Sequence, residues 1–445
     1  MSQTKAQLVS QVSDAQSNTT VGSNAGDSFT GTDATQNTLI GKDAGTAITS
    51  GDQNTAVGAF ALDALTTASY NTAFGRGALS ETTTGASNTA VGINALIFNT
   101  TASHNTAVGA NALNPNTTGA SNTAVGSEAL DANTTGTLNT SIGRESLSAN
   151  TTGIKNTAVG KSALQGNTTG DNNTAIGWDA LNANTTADFN VAVGNAALAL
   201  NTTGYSNTSI GYNALNANTT GLGNVALGQG SLSSNTTAND NTALGRISLT
   251  NNTTGTRNTA VGRGSLNANT TSHDNTAVGY FSLYSSTTGT KNTGLGGYAL
   301  QQNTTGNENV GTGYNALGAN TTGSNNIAVG NWALDANTTA SFNTAVGHQS
   351  LSTNSTGSMN AAVGHQALFS NTTGSNNIAV GVYALDHNTT GNKNTGIGHN
   401  ALTANTTASF NTAVGYNSLN ANTTGDDNVA FGKDALLSNT TGSHN

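Results

Sequence analysis

Residues 122–138 read N-T-A-V-G-S-E-A-L-D-A-N-T-T-G-T-L, and this 17-residue unit recurs along nearly the whole chain. Its leading Asn returns without a slip at Asn37, Asn54, Asn71, Asn88 and onward to Asn445, through 24 consecutive intervals. Repetition at a short fixed period describes a quasi-one-dimensional molecule, in which each unit meets mainly its neighbours. A length of 445 residues would ordinarily suggest two or three domains; the repeat replaces that expectation with a solenoid.

Positions within the unit are counted from its Asn. The 23 complete units run from Asn54 to His444. Position 5 is always Gly, as at Gly58 and Gly126, and position 9 is always Leu, as at Leu62 and Leu130. Position 8 is Ala or Ser, position 14 is Thr, and position 4 is Val, Ile, Leu or Phe except at Thr312. Position 12 is Asn except at Leu65, Thr82 and Ser286. An obligatory Gly, paired threonines and β-branched residues at fixed places all oppose a helix. The unit reads instead as one coil of a parallel β-solenoid, or β-roll, in an all-β chain. Two short extended segments are expected, T-A-V at positions 2 to 4 and A-L at positions 8 and 9. The Gly after the first segment suits a corner with positive φ or close backbone approach. N-T-T-G forms the second corner, with an Asn that tolerates the left-handed region and Gly following. Stacking at about 4.8 Å places identical residues above one another. Columns such as Asn54, Gly58 and Leu62, or Asn122, Gly126 and Leu130, then form structural ladders, with amide ladders of Asn and hydroxyl ladders of Thr.

Composition narrows the alternatives. Only 34% of residues are hydrophobic and 7% charged, so neither a conventional globular core nor a charge-expanded disordered chain fits. The net charge of -9 without a basic stripe argues against a nucleic-acid partner. No apolar run reaches the roughly 18 residues of a membrane span. Without cysteine there are no disulfides or thiolate metal sites. Each coil offers one Leu and one Val-sized residue to bury, a thin core for the chain entropy that must be overcome. Adjacent strand positions point to opposite faces. One face is expected to line the coil and the small-residue face to pack against another chain, as in a parallel homotrimeric fibre.

Large and polar residues collect at positions 6 and 7, after the Gly corner. Trp178, Tyr212, Tyr280, Tyr314 and Tyr416 occupy position 6, and Trp332 and Tyr383 position 7. These seven are the candidate surface contacts for a glycan or receptor, although a solvated corner tolerates many residue types. His348 and His365 stack on adjacent coils and in a trimer would form two rings able to bind a transition metal. Unremarkable corner histidines are the simpler reading, and neither a metal nor another cofactor is expected. The N-T-T sequons read as corner chemistry rather than glycosylation sites. Acids are scattered singly, Gly-rich phosphate loops are absent, and no enzyme is predicted.

The chain divides into residues 1–17, a candidate attachment or capping segment, residues 18–53, atypical coils, and residues 54–445, the regular solenoid. Leu8, Val9 and Val12 suit one short amphipathic helix. The N-terminus lacks the apolar segment of a secretory signal. The chain stops at Asn445, the first residue of a further unit, so a following tip domain is expected to have been removed or left out.

The motif N-T-A-V-G or N-T-A-I-G, as at Asn156–Gly160 and Asn173–Gly177, resembles the head repeats of trimeric autotransporter adhesins. The fuller unit N-T-A-V-G-x-x-A-L-x-x-N-T-T-G is similar to repeats in phage tail-fibre shafts. That resemblance covers residues 18–445. It implies a trimeric spacer on a virion, joined at its N-terminus to tail or baseplate proteins and presenting a tip that binds a host glycan or protein. It also implies a C-terminal intramolecular chaperone domain, often cleaved off. A cell-surface adhesin filament is the alternative. Ice binding ranks below both, because the paired threonines are adjacent and lie beside a corner Gly instead of forming a flat T-x-T strand.

Overall fold

The computed structural model describes residues 13–30 and 32–445. The expected helix around Leu8, Val9 and Val12 lies outside these residues. Two compact units, Met1–Leu222 and Gly223–Asn445, are built from the same coil. Among the described residues the first unit contains twelve strands, β1 (Thr19–Val21) to β12 (Thr208–Ile210). The second contains thirteen, β13 (Val225–Leu227) to β25 (Val429–Phe431). Each strand has three residues and occupies positions 2 to 4. Within each unit successive strands pair in parallel and in identical register: Thr123 faces Thr140, Ala124 faces Ser141, and Val125 faces Ile142. The chain is therefore an all-β parallel solenoid with a 17-residue coil.

Two columns of buried amides hold the coils together. In the first unit, Asn139 N–H donates to Asn122 Oδ1 at 3.0 Å, and Asn139 Nδ2 donates to the Gly153 carbonyl at 2.8 Å. In the second column Asn150 Nδ2 donates to Asn133 Oδ1 at 2.9 Å and to the same Gly153 carbonyl at 3.1 Å. One backbone oxygen thus uses both lone pairs on the two ladders. The second unit repeats this at Gly391, whose carbonyl accepts from Asn377 Nδ2 at 2.9 Å and Asn388 Nδ2 at 3.0 Å. All these Asn side chains are buried. At Asn18 the Asp14 carboxylate takes the accepting role that the preceding ladder Asn has elsewhere, binding the backbone and side-chain N–H groups of Asn18.

The Gly corner combines both expected properties. Gly126 has φ 141°, and a Cβ there would lie 2.5 Å from the carbonyl oxygen of Gly143 one coil on. Elsewhere the expectations need correction. The Ala-Leu segment is not extended. Leu130, fully buried, sits in the left-handed region with φ 56°, as does Glu128 two residues earlier with φ 58°. This conformation costs an L-residue about 1–2 kcal/mol. It turns the chain tightly enough for Leu to enter the lumen while Leu130 N–H still reaches the Ser146 carbonyl at 3.0 Å. Nor does the position-12 Asn adopt positive φ; its corner is made by side-chain hydrogen bonds, and position 17 takes the left-handed turn, as at Leu138 with φ 61°. The threonine ladder is hydroxyl to carbonyl: Thr134 Oγ1 donates to Thr151 O at 3.1 Å.

The strand faces are also reversed from expectation. Position-3 Ala, as at Ala124, points into the lumen and is fully buried, while position 4 points out. Leu at position 9 fills the interior, so only a small residue fits opposite. The first coils show the exchange directly. Where Gly45 replaces that Leu, position 3 is Leu39, and Leu39 and Ile48 side-chain carbons lie within 2.9 Å of where a Gly45 Cβ would stand. Volume is conserved across the lumen, as close packing demands.

Gly126→Ala is expected to lower the thermal midpoint sharply, with a cost of about 3 kcal/mol from backbone strain and the clash with Gly143. Asn122→Ala strands the Asn139 N–H and removes one donor from Gly136, a cost of roughly 1–3 kcal/mol per unsatisfied group. Thr135→Ala, at an exposed corner hydroxyl, should change stability by less than about 0.5 kcal/mol. Thermal unfolding with amide hydrogen exchange in the flanking coils checks all three.

Candidate functional site

Side chains that leave the coil do so from its corners, and identical register turns each corner into a column. Position 6 follows the Gly corner directly and position 7 carries the left-handed backbone. Bulky residues there project outward and stack on those one coil away.

In the second unit this produces an aromatic ladder. Tyr280 meets Tyr298 with ring centroids 5.4 Å apart, Tyr298 meets Tyr314 at 5.6 Å, and Tyr314 meets Trp332 at 5.2 Å. The interplanar angles of 78°, 80° and 58° are those of edge-to-face and tilted rings, which aromatic quadrupoles favour. Arg263 caps one end, 5.7 Å from the centroids of both Tyr280 and Phe281. A second run links His348, His365, Tyr383, His399 and Tyr416, and Lys433 lies 5.9 Å from the Tyr416 ring. Four of the seven candidate contacts, Tyr280, Tyr314, Trp332 and Tyr416, are exposed and laddered, and Tyr383 is laddered but half-buried. Trp178 and Tyr212 lie in the first unit, at 55% and 54% exposure, where Lys161 sits 5.8 Å from the Trp178 ring. The candidates therefore form two groups.

His348 and His365 are stacked in parallel, 5.4 Å between centroids and 7° between planes. Among the described residues no group of three or more His, Cys, Asp or Glu is placed to hold a metal ion. The sequons have a structural use: Asn133 is fully buried, and its Nδ2 serves both Asn116 and Gly136.

Further features escape a reading by residue type. Position 17 alternates in charge over five consecutive coils, Asp240, Arg257, Asp274, Lys291 and Glu308. Arg257 grips Asp274 through two hydrogen bonds of 2.7 and 3.0 Å, and the guanidinium holds that carboxyl below its ordinary range. Lys291 lies 3.5 Å from Glu308. Reading the sequence coil by coil would have revealed the alternation. Position 10 places carboxylates partly inside the wall, and burial pushes Asp63, Asp335 and Asp386 up. Burial first, then the charges of Glu128 and Glu145, push Asp131 up to about 6.

Among the described residues no helix is long and apolar enough to cross a membrane. In comparisons with known proteins, no family model and no curated protein matches the chain.

Because its folded-state pKa is raised, Asp131 keeps its proton where the unfolded chain has lost it. The stability this confers is complete below about pH 4 and is lost as pH rises through about 6. Asp131→Asn should raise the thermal midpoint at neutral pH, with the difference from the parent shrinking toward zero below about pH 4. A pH series of unfolding curves checks the sign.

Proposed function

We propose that the chain is the shaft of a bacteriophage tail fibre, a parallel homotrimer that holds a host-receptor-binding tip away from the virion. The reading is of a structural protein, with no catalytic step. The observation that carries the assembly is the outward strand face. Position 4 exposes an apolar residue in coil after coil: Phe74, Ile142, Ile176 and Ile210 in the first unit, and Leu227, Leu244, Leu295 and Val329 in the second. Contiguous apolar stripes on soluble monomers are rare and mark interaction surfaces. In three parallel chains the stripes meet at a common axis, and identical register lets every coil repeat the contact. This supports the trimer with the opposite strand face from the one first expected.

The placement on a virion rests on the similarity of the N-T-A-V-G-x-x-A-L-x-x-N-T-T-G unit to tail-fibre repeats. In this reading tail or baseplate proteins hold the N-terminal end, and a tip contacts a host glycan or protein. Several fibres of three chains would convert weak contacts into stable attachment. A cell-surface adhesin filament is the second reading, favoured by the N-T-A-V-G coil motif.

Sedimentation or light scattering of the purified chain should give about three times 44.1 kDa. Leu227→Asp with Leu244→Asp should dissociate it without unfolding the coil, since both side chains lie outside the lumen. A monomeric parent overturns the trimer and leaves the outward threonine ranks of positions 2 and 14 free, as an ice-binding surface requires. Antibody against the chain should decorate the tails of virus particles; decoration of cell envelopes alone would instead establish the adhesin.

A further inference from the structure

We propose that a cleft in the first unit, between Phe60 and Asn94, binds one pyranose unit of a glycan. The cleft exists because two side-chain columns are interrupted in the same coil. Along position 7 of three successive coils the residues are Phe60, Gly77 and Asn94, and along position 10 they are Asp63, Ser80 and Ile97. Gly77 contributes no side chain and Ser80 only a hydroxymethyl group. The gap has a volume of about 250 Å³, and Arg76 and Ile97 line it beside Phe60, Asp63, Gly77, Ser80 and Asn94. That is room for one sugar ring.

The lining has the chemistry of a sugar site. Phe60 supplies an apolar face. Lys42, from the coil before, lies over its ring at 5.5 Å, while in the coil after Gly77 leaves the neighbouring space open. Pyranose rings carry a face of C–H groups that stacks on such a ring, and a rim of hydroxyls needing donors and acceptors. Arg76 donates, Asn94 and Ser80 do both, and Asp63 accepts. Asp63 Oδ1 is buried without a hydrogen-bond partner, an unsatisfied carboxylate oxygen at the cleft wall. Rotation about the soft terminal torsion of Asp63 would bring it to a ligand hydroxyl. Hydrogen bonds to an ionised acceptor are the stronger kind.

The experiment is saturation-transfer NMR on the full chain with the methyl pyranosides of glucose, galactose, mannose and N-acetylglucosamine. At least one should receive saturation, strongest on the C–H protons of a single ring face. Gly77→Asn fills the cleft and should abolish the signal. It suits the left-handed backbone there, since Asn94 and Asn111 occupy the same position with φ 54° and 55°. Asp63→Asn should weaken binding about tenfold or more. Absence of transfer to all four glycosides overturns the proposal, as does transfer unchanged in Gly77→Asn. Should that variant change the circular dichroism, Phe60→Leu decides: affinity equal to the parent overturns the site, and loss of the face-selective signal supports it.

Discussion

A single backbone oxygen in each coil, the carbonyl of position 15, is what the remaining structure is arranged around. It is buried, and in most coils two asparagine side chains donate to it, one from position 1 and one from position 12, as Asn139 and Asn150 do at Gly153; at Ala68, Gly85 and Gly289, where position 12 is Leu65, Thr82 or Ser286, the position-1 Asn alone does. Each residue also ties its coil to the previous one, Asn139 through its backbone N–H to Asn122 Oδ1 and Asn150 through its side-chain amide to Asn133 Oδ1. Buried polar groups are tolerated when every partner is supplied, and a network of them then specifies one register. Hydrophobic burial alone gives no such choice, because a lumen of repeating Ala and Leu looks alike at every step. The alternatives to Asn show what the network needs. Thr82 retains a weak partner in Asn99 at 3.4 Å, whereas the Ser286 hydroxyl is buried without one.

Much of this was legible in the residues because ladders require identity. A column of Asn at the same place in every coil has few explanations other than amide stacking, and the strand at positions 2 to 4 followed from its β-branched residues. The Gly corner was equally clear, since Gly126 meets the next coil where no Cβ fits. What failed to show was conformation that contradicts residue preference. Nothing in Leu130 announces positive φ; the tertiary demand that its side chain fill the lumen overrides its local bias. The inward strand face was missed for a related reason. T-A-V alternates without an apolar side, so the direction depends on the volume left by Leu at position 9. The exchange of Gly45 for Leu with Leu39 for Ala held that information in the first coils.

The candidate sites illustrate the same division. Large residues at positions 6 and 7 were visible one at a time, but their meaning depends on neighbours a full coil away. Tyr280, Tyr298, Tyr314 and Trp332 form one surface because of register, while Trp178 belongs to another part of the chain. The cleft beside Phe60 is defined by residues that are small, Gly77 and Ser80, and such sites are seldom sought by residue type. Regular columns make an interruption informative.

Identical register between neighbouring coils also bears on how such a gene changes. Within each unit nearly every coil offers its successor the same donors and acceptors, the exceptions being those with Leu65, Thr82 or Ser286 at position 12. Removal or duplication of one whole coil by unequal recombination therefore rejoins compatible surfaces. A smaller insertion survives only where the chain leaves the ladders: the step from Asn18 to Asn37 is longer by two than the step from Asn37 to Asn54, yet Thr19 still pairs with Thr38. Length in this architecture is a heritable dial with one preferred step, open to selection without any new packing solution.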